Sequence, residues 1–385
     1  MRKNFKVFIS YASRVMIITA LFACAPAALF SSCGASLAGG VPAIDIPGTD
    51  IPEIYLPVVY NREFYYFDTF IEVKLYAYSE QHGLFALDEA EAVFKRVHML
   101  MSRFDEDSDI YRINNASPGE KPVKVDAETF ALIKIAIEYC AQSGGAFDIG
   151  IGAASDLWGF GSSNDDAPDY IKQPPDEDLL AEAVAAGGYK KIILDENEYT
   201  VDTPAGLIID LGGIAKGYAT QSVADALKEL GIDSAVINAG GNVYVLGEKP
   251  EYASSDSAKL WKVGIRHPRP ERDDELLAVV SLTDKSIVTS GDYERYFEYE
   301  GTRYHHILDP STGNPAGESI SATVIADDSV LADYLSTALF VLGAQKGLEL
   351  VALYPGAEAI IVAPDMTVAS SPGFDGDIRL INKGD

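Results

Sequence analysis

Cysteine is scarce in this chain: Cys24, Cys33 and Cys140 are the only three among 385 residues. None stands in a CxxC pair or at zinc spacing from one of the five histidines, which argues against a structural zinc site. Basic residues are also few, with 30 against 58 acids and a formal net charge of −28. A body this acidic repels phosphate backbones, so nucleic-acid binding is excluded as a function class. It would repel a dinucleotide too, unless a metal ion or a placed lysine neutralised it locally. There is no GxGxxG fingerprint, no GxxxxGK[ST] loop and no internal repeat. At 48% hydrophobic and 23% charged, the chain has enough apolar material for a sizeable core.

Before Asp45 there is no acid, and Arg2, Lys3, Lys6 and Arg14 precede an apolar run from Val15 to Phe30. A basic lead and a run too short for a comfortable membrane span describe an export signal. The run ends in Leu29-Phe30-Ser31-Ser32-Cys33, small residues before a cysteine, as at a bacterial lipoprotein cleavage site. Cys33 is then the lipidated residue; Cys24 is a rival placed inside the apolar run. The predicted organisation is a signal peptide at 1–32, a Gly/Pro-rich tether at 33–60 and one body at 61–385, exported and held to a membrane by lipid. Cys140 shares an apolar helix face with Ile133, Ala136 and Ile137, which marks it as an inert core thiol rather than a nucleophile.

In the body, Phe64–Tyr78 is aromatic and β-branched and predicts one strand. Helical spacing predicts helices over 88–103, over 126–143 with Asp126 as N-cap, and over 176–186. A hairpin is expected at Lys190–Asp202, a strand at Leu207–Asp210 and a helix at 214–230. Strands dominate from Ser234 to Asp309, followed by a strand at Ile320–Ala326, helices at 329–342 and 344–353, and a hairpin at 358–369. Without a regular βα alternation, the class is α+β: a single mixed α/β domain.

Several segments could carry chemistry, and each has a plain alternative. In Ile209-Asp210-Leu211-Gly212-Gly213-Ile214-Ala215-Lys216, a carboxylate ends a strand, two glycines allow close approach and a lysine opens a helix. That is either an anion site or a simple corner with a solvated lysine. In Tyr304-His305-His306-Ile307-Leu308-Asp309-Pro310, a histidine could act as base, with Asp309 orienting it or capping the turn. The pair could equally be one surface and one core residue. Asp333, Ser336 and Thr337 share one helix face and suit a hard cation, unless the hydroxyls bond back into their own helix. Gly145-Ala146-Phe147-Asp148 followed by Leu157-Trp158-Gly159-Phe160-Gly161 could wall a flat ring or form a packed loop.

In this order, the segments FDTFIEVKLY, MSRFDEDSDIYRIN, GAFDIGIG…LWGFG, IDLGGIAKGYA, INAGGNVYVLG, WKVGIRHP, IVTSGDYERYF, YHHILDPSTG and ADYLSTALFVLG resemble the ApbE family, the FAD:protein FMN transferases. The resemblance spans about Phe64 to Leu342 and implies an ApbE-type fold with an FAD pocket. It implies a flavin site at Phe67, Phe104, Ala146, Phe147, Asp148, Asp210, Lys216 and Ile307. It implies Mg²⁺ on the main-chain oxygen of Gly213 and on Asp333, Ser336 and Thr337, with Ser336 at a position where some relatives carry Asp. His306 matches the catalytic base, and His305 is the neighbour whose loss should be mild. The implied reaction moves FMN from FAD to a Ser or Thr hydroxyl in a short motif of an acceptor protein, often a redox-pump subunit, and releases AMP. A Mg²⁺-dependent FAD pyrophosphatase and a non-catalytic flavin-binding lipoprotein are the alternatives.

Overall fold

The structure, a computed structural model, describes residues 57–117, 119–160, 172–250, 260–272, 274–375 and 379–380. The predicted signal peptide, Cys24, Cys33, Gly161 and most of the tether lie outside these residues. The last four tether positions do not, and three of them belong to strand β1 (Val58–Tyr66). β1 turns into β2 (Thr69–Ala77), so the single strand expected over Phe64–Tyr78 is a hairpin. Its turn residues Phe67 and Asp68 both have φ 54°. A two-residue hairpin loop of this kind needs positive φ at both positions and normally advertises itself as Asn-Gly. Phe-Asp carries no such signal. The strained turn is held by the Phe67 amide, which donates to His98 Nδ1 at 3.4 Å while the two rings meet edge to face.

Helix α1 (Glu80–Met101) starts two turns before the predicted 88–103, capped by the Ser79 hydroxyl. Its apolar stripe of Ala86, Leu87, Ala90, Phe94, Val97 and Met101 is absent from the first turn, where Leu84 and Phe85 are exposed. Periodicity therefore locates only the later part. Helix α2 (Asp109–Asn115) was not expected and is too short to show a period. Next come β3 (Val123–Lys124) and α3 (Ala127–Gln142), the latter capped by Asp126 as predicted. α4 (Gly152–Trp158) forms inside the Gly/aromatic stretch, and α5 (Glu177–Ala186) matches its prediction. The hairpin of β4 (Ile193–Asp195) and β5 (Thr200–Asp202) follows. Leu207–Asp210 is not a strand. The Asn114 side chain accepts from the Ile209 amide at 2.8 Å and donates to its carbonyl at 2.9 Å, while the Asp210 amide donates to the Ile149 carbonyl at 2.8 Å. These bonds take the place of a ladder.

Beyond α6 (Ala215–Glu229) lie β6 (Ala235–Ala239), β7 (Asn242–Leu246), β8 (Trp261–Arg266), β9 (Leu276–Leu282) and β10 (Lys285–Gly291). β11 (Tyr296–Tyr299), β12 (Thr302–His305), β13 (Ser321–Ala326), α7 (Ser329–Val351), β14 (Glu358–Val362), β15 (Val368–Ser370) and β16 (Arg379–Leu380) complete the order. α7 bends at Gly343, whose φ of 74° breaks the helix where two helices were predicted.

Eight strands form one antiparallel sheet in the order β1-β2-β6-β7-β10-β13-β14-β15. Its central strands are buried on both faces, which the alternation of their side chains makes visible. Tyr244 and Leu246 of β7 enter the core shared with α1, α6 and α7, whereas Val243 and Val245 enter a second core. β13 divides likewise, with Ala322, Val324 and Ala326 to the helices and Ile325 to the other side. The small sheet β16-β9-β8 covers that other side through Trp261, Val263, Ile265 and Val280. The result is helices, sheet and sheet in three layers, the mixed α/β architecture expected. Among the described residues, no helix is long and apolar enough to cross a membrane. Cys140 is buried in the helix-side core, and burial pushes its thiol above the ordinary range, as an inert thiol requires.

Phe94 is fully buried between α1 and the sheet. Phe94→Ala is expected to cost about 3–5 kcal/mol in denaturant unfolding, because little around it can collapse into the space.

Candidate functional site

The site begins at the corner where the Asp210 segment turns into α6. Asp210 accepts the Gly212 amide on Oδ1 at 2.8 Å, which tightens the turn, and takes the Arg103 guanidinium on Oδ2 at 2.9 Å. Arg103 is itself buried, and it also bonds Asp156 and reaches the Gly152 carbonyl at 3.4 Å. One guanidinium thus ties α4 and the corner to the end of α1. Burial raises the Asp156 carboxyl above its usual range, opposed by the Arg103 charge. At the first turn of α6, the Lys216 ammonium donates to the Gly212 carbonyl at 3.0 Å. That is a neutral partner, so its charge remains available to an anion.

The second part of the site is where α6 meets α7. A Cβ on Gly217 would sit 2.4 Å from the Ser329 carbonyl oxygen and 2.6 Å from Asp333 Cβ, so only glycine permits this approach. Asp333, 3% exposed, accepts the Gly217 amide on Oδ2 at 2.8 Å. A carboxylate at a helix N-terminus is favourably placed, and the bond fixes its rotamer. Its Oδ1 has no protein donor among the described residues. Thr337 Oγ1 lies 3.5 Å from Ser290 Oγ and faces Gly213, where a Cβ would come within 3.3 Å of that hydroxyl and 3.0 Å of Phe147 Cε2. Ser336 is different. Its hydroxyl donates to the Asp333 carbonyl at 2.9 Å and meets Ser290 Oγ at 2.9 Å. This is the back-bonding reading, and it makes Ser336 the least available of the predicted metal donors.

The third part is the histidine pair at the end of β12. His305 is 6% exposed; its Nε2 donates to the Ala316 carbonyl at 3.0 Å and its Nδ1 accepts the Ile307 amide at 3.3 Å. Both nitrogens therefore serve the fold rather than face the site. His306 is partly exposed. Its Nδ1 lies 3.2 Å from the Arg295 carbonyl, which can only accept, so Nδ1 carries the proton and Nε2 keeps a free lone pair. Withdrawal of the ring from water, then the Arg295 and Lys216 charges, hold its pKa well below the ordinary 6.5. It is neutral at physiological pH and can accept a proton. Asp309 does not orient either ring: its Oδ1 takes the Ser311 amide at 2.8 Å and the Ser311 hydroxyl at 2.7 Å, capping the turn. That turn is pinned by Trp158 Nε1, which donates to the Gly313 carbonyl at 2.7 Å. Trp158 and Phe160 pack with Phe297 of β11 and Tyr304 of β12 as one aromatic block, and Phe160 meets the His306 ring edge to face.

The structure joins Phe147, Asp210, Gly213, Lys216, Asp333, Ser336 and Thr337 through contacts around the α6 corner. Buried Ile307 adjoins His306. Phe104 is 51% exposed, its ring under the Arg103 guanidinium at 4.9 Å, and so borders the same corner. Phe67 and half-buried Ala146 pack on the helix-side core without a direct contact to that group. The Asp148 carboxylate is committed to the backbone, accepting the Gly150 amide at 2.8 Å and the Tyr189 amide at 2.9 Å. Burial raises its pKa. Two contributors escaped the sequence reading. Ser290, in β10, and Arg103 carried no local signal beyond their places in IVTSGDYERYF and MSRF. Among the described residues there is no cluster of three or more His, Cys, Asp or Glu side chains able to hold a metal.

Comparison with known proteins places this geometry in context. A family model described as the ApbE family matches residues 67–361. A Treponema pallidum protein named FAD:protein FMN transferase is 36% identical over 335 residues, covering 84% of this chain and 90% of its own. A Haemophilus influenzae protein of the same name is 35% identical over 266 residues, covering 68% and 74% respectively. Among solved structures, the ApbE protein of Thermotoga maritima matches with a TM-score of 0.73 at 33% identity, covering 84% of this chain and 100% of that one. The apo form of the Pseudomonas stutzeri flavinyl transferase ApbE matches with a TM-score of 0.68 at 28% identity, covering 84% and 98%.

Arg103→Ala would leave Asp210 without its cation and loosen the corner. A loss of about 2–3 kcal/mol in unfolding free energy is expected, less than for a wholly buried pair because Asp156 is half open to water.

Proposed function

The chain belongs to the ApbE family, and from that premise we propose that His306 is the base with which it moves FMN from FAD onto a hydroxyl of an acceptor protein. The chain is an FAD:protein FMN transferase, and FAD is its substrate. The observation that carries the base assignment is the His306 tautomer: Nδ1 bonded to a carbonyl, Nε2 open, and the ring held neutral. In the proposed reaction, a Ser or Thr hydroxyl oxygen of the acceptor attacks the FMN-side phosphorus. Its proton passes to His306 Nε2, the bond between that phosphorus and the bridging oxygen breaks, and AMP departs with that oxygen. Lys216 offsets negative charge on the pyrophosphate, a need made acute by the net charge of −28. Phe147, Phe67 and Phe104 supply apolar and aromatic surface for the isoalloxazine ring.

The chemistry of the donor set supports Mg²⁺ as the cofactor. Asp333 is a largely buried carboxylate whose Oδ2 is taken by the Gly217 amide and whose Oδ1 has no protein donor among the described residues, which leaves Oδ1 available to a cation. With Thr337 Oγ1 and the Gly213 carbonyl, it makes a set of hard oxygens suited to Mg²⁺, with Ser336 fitting least. Bound there, Mg²⁺ would supply neutralisation of charge on the phosphates. Lipidation of Cys33 and an extracytoplasmic, membrane-held location are supported by the basic lead, the short apolar run and the Ser-Ser-Cys junction. An acceptor with a short Ser/Thr motif, such as a redox-pump subunit, rests on the family resemblance.

Purified protein incubated with FAD, Mg²⁺ and an acceptor should leave flavin fluorescence on the acceptor in a denaturing gel. Free FMN released equally with and without acceptor would instead indicate hydrolysis. His306→Ala should abolish transfer and retain FAD binding; near-normal turnover would remove His306 from its role. Because the neutral ring is the active form and its pKa is depressed, kcat/KM should decline only as pH falls well below 6.5. An acid limb at or above 6.5 would contradict the depressed value. Asp333→Ala should raise the Mg²⁺ concentration needed for half-maximal activity at least about tenfold, and an unchanged titration would exclude Asp333 as a ligand.

A further inference from the structure

Arg295 lies on the strand that faces His306. Tyr296 pairs with His305, so one step further along the hairpin Arg295 stands opposite His306, and the His306 amide donates to the Arg295 carbonyl at 3.1 Å. Residues opposite each other in an antiparallel pair project to the same face. The Arg295 side chain therefore shares the face of the His306 ring. Phe297 and Tyr304, two positions along each strand, lie on that same face, and Phe160 meets the His306 ring edge to face.

That guanidinium is exposed and, among the described residues, has no hydrogen-bond or ion-pair partner. Acids are close in sequence, but each is directed at a different arginine. Asp292 holds Arg269 through two bonds of 2.7 and 2.5 Å and lies 3.9 Å from Arg303. Glu298 faces Arg303 at 3.6 Å, and Glu294 faces Arg266 at 4.0 Å. In a chain with 58 acids and 30 bases, a cation left alone beside a proton acceptor is placed for an anion that comes from outside. Lys216, bonded only to a neutral carbonyl, is the second such cation. Both charges also weigh against protonation of His306, which places them near its ring.

We infer that Arg295 is a binding residue for the pyrophosphate of FAD, its planar fork engaging phosphate oxygens on the acceptor side of the site while Lys216 engages them from the α6 corner. The inference rests on the flavin-transfer reading. His306 Nε2 must come within hydrogen-bond reach of the attacking hydroxyl, so the phosphate under attack lies within a long side chain's span of Arg295. Nothing in the sequence segments marks Arg295 for this role, because the acids that would ordinarily pair with it sit beside it.

The test compares FAD with riboflavin, which carries the same ring and no phosphate. Equilibrium binding of each, by flavin fluorescence with Mg²⁺ present, is measured for the full chain, for Arg295→Gln and for Arg295→Lys. Arg295→Gln should weaken FAD binding at least about tenfold and leave riboflavin binding unchanged. Arg295→Lys should fall between, keeping the charge and losing the fork. In turnover, KM for FAD should rise while KM for the acceptor stays. Equal FAD affinity in all three proteins would overturn the inference. So would an equal loss for riboflavin, which marks a structural role, or a rise in KM for the acceptor alone. If the unaltered chain fails to bind FAD at all, the flavin-transfer reading falls and not merely the role of Arg295.

Discussion

The hydrogen bond from the Gly217 amide to Asp333 Oδ2, 2.8 Å long, joins the first turn of α6 to the early part of α7. It forms only because a glycine lets the helices approach to a distance that no side chain would allow. Its consequences extend through the site. It fixes the rotamer of a buried carboxylate, leaves that group's other oxygen unengaged, and brings Thr337 against the Gly213 corner. Lys216 and Asp210 take their places from the same corner. A packing constraint between two helices thus also sets where the oxygens of the proposed cation site stand.

Electrostatics set the second condition. With acids exceeding bases by nearly two to one, the body as a whole disfavours an anionic substrate. Among the described residues, Lys216 and Arg295 are left without carboxylate partners. Arg103, by contrast, is neutralised by Asp156 and Asp210 and acts as a tie between segments. Two arginines of the same chain therefore have opposite uses, decided by whether an acid has been brought to them. The same logic separates the histidines: His305 has both nitrogens occupied, and His306 has one.

Much of this was legible in the chain. Asp126 and Gly343 mark a cap and a break through local rules, because backbone conformation there depends on neighbours in sequence. The Phe67–Asp68 turn was not legible, since its positive φ values are sustained by His98, which lies 31 residues away, and not by the turn residues themselves. The Leu207–Asp210 segment failed for a related reason: its backbone partners are the Asn114 side chain and the Ile149 carbonyl rather than a neighbouring strand. Asp148 looked like a ligand-binding carboxylate, and the tertiary fold gives it two backbone amides to hold.

By itself the sequence determined the family, the α+β class and most helices, and it nominated candidates for the chemistry, because motif identity and hydrophobic period are properties of consecutive residues. Only the tertiary structure decided which of those residues are free to act. The proton on His306 Nδ1, the open oxygen of Asp333 and the closed hydroxyl of Ser336 each depend on a partner supplied, or withheld, by a distant part of the chain. Hydrogen-bond saturation is a matter of three-dimensional neighbours, and the order of residues alone does not contain it.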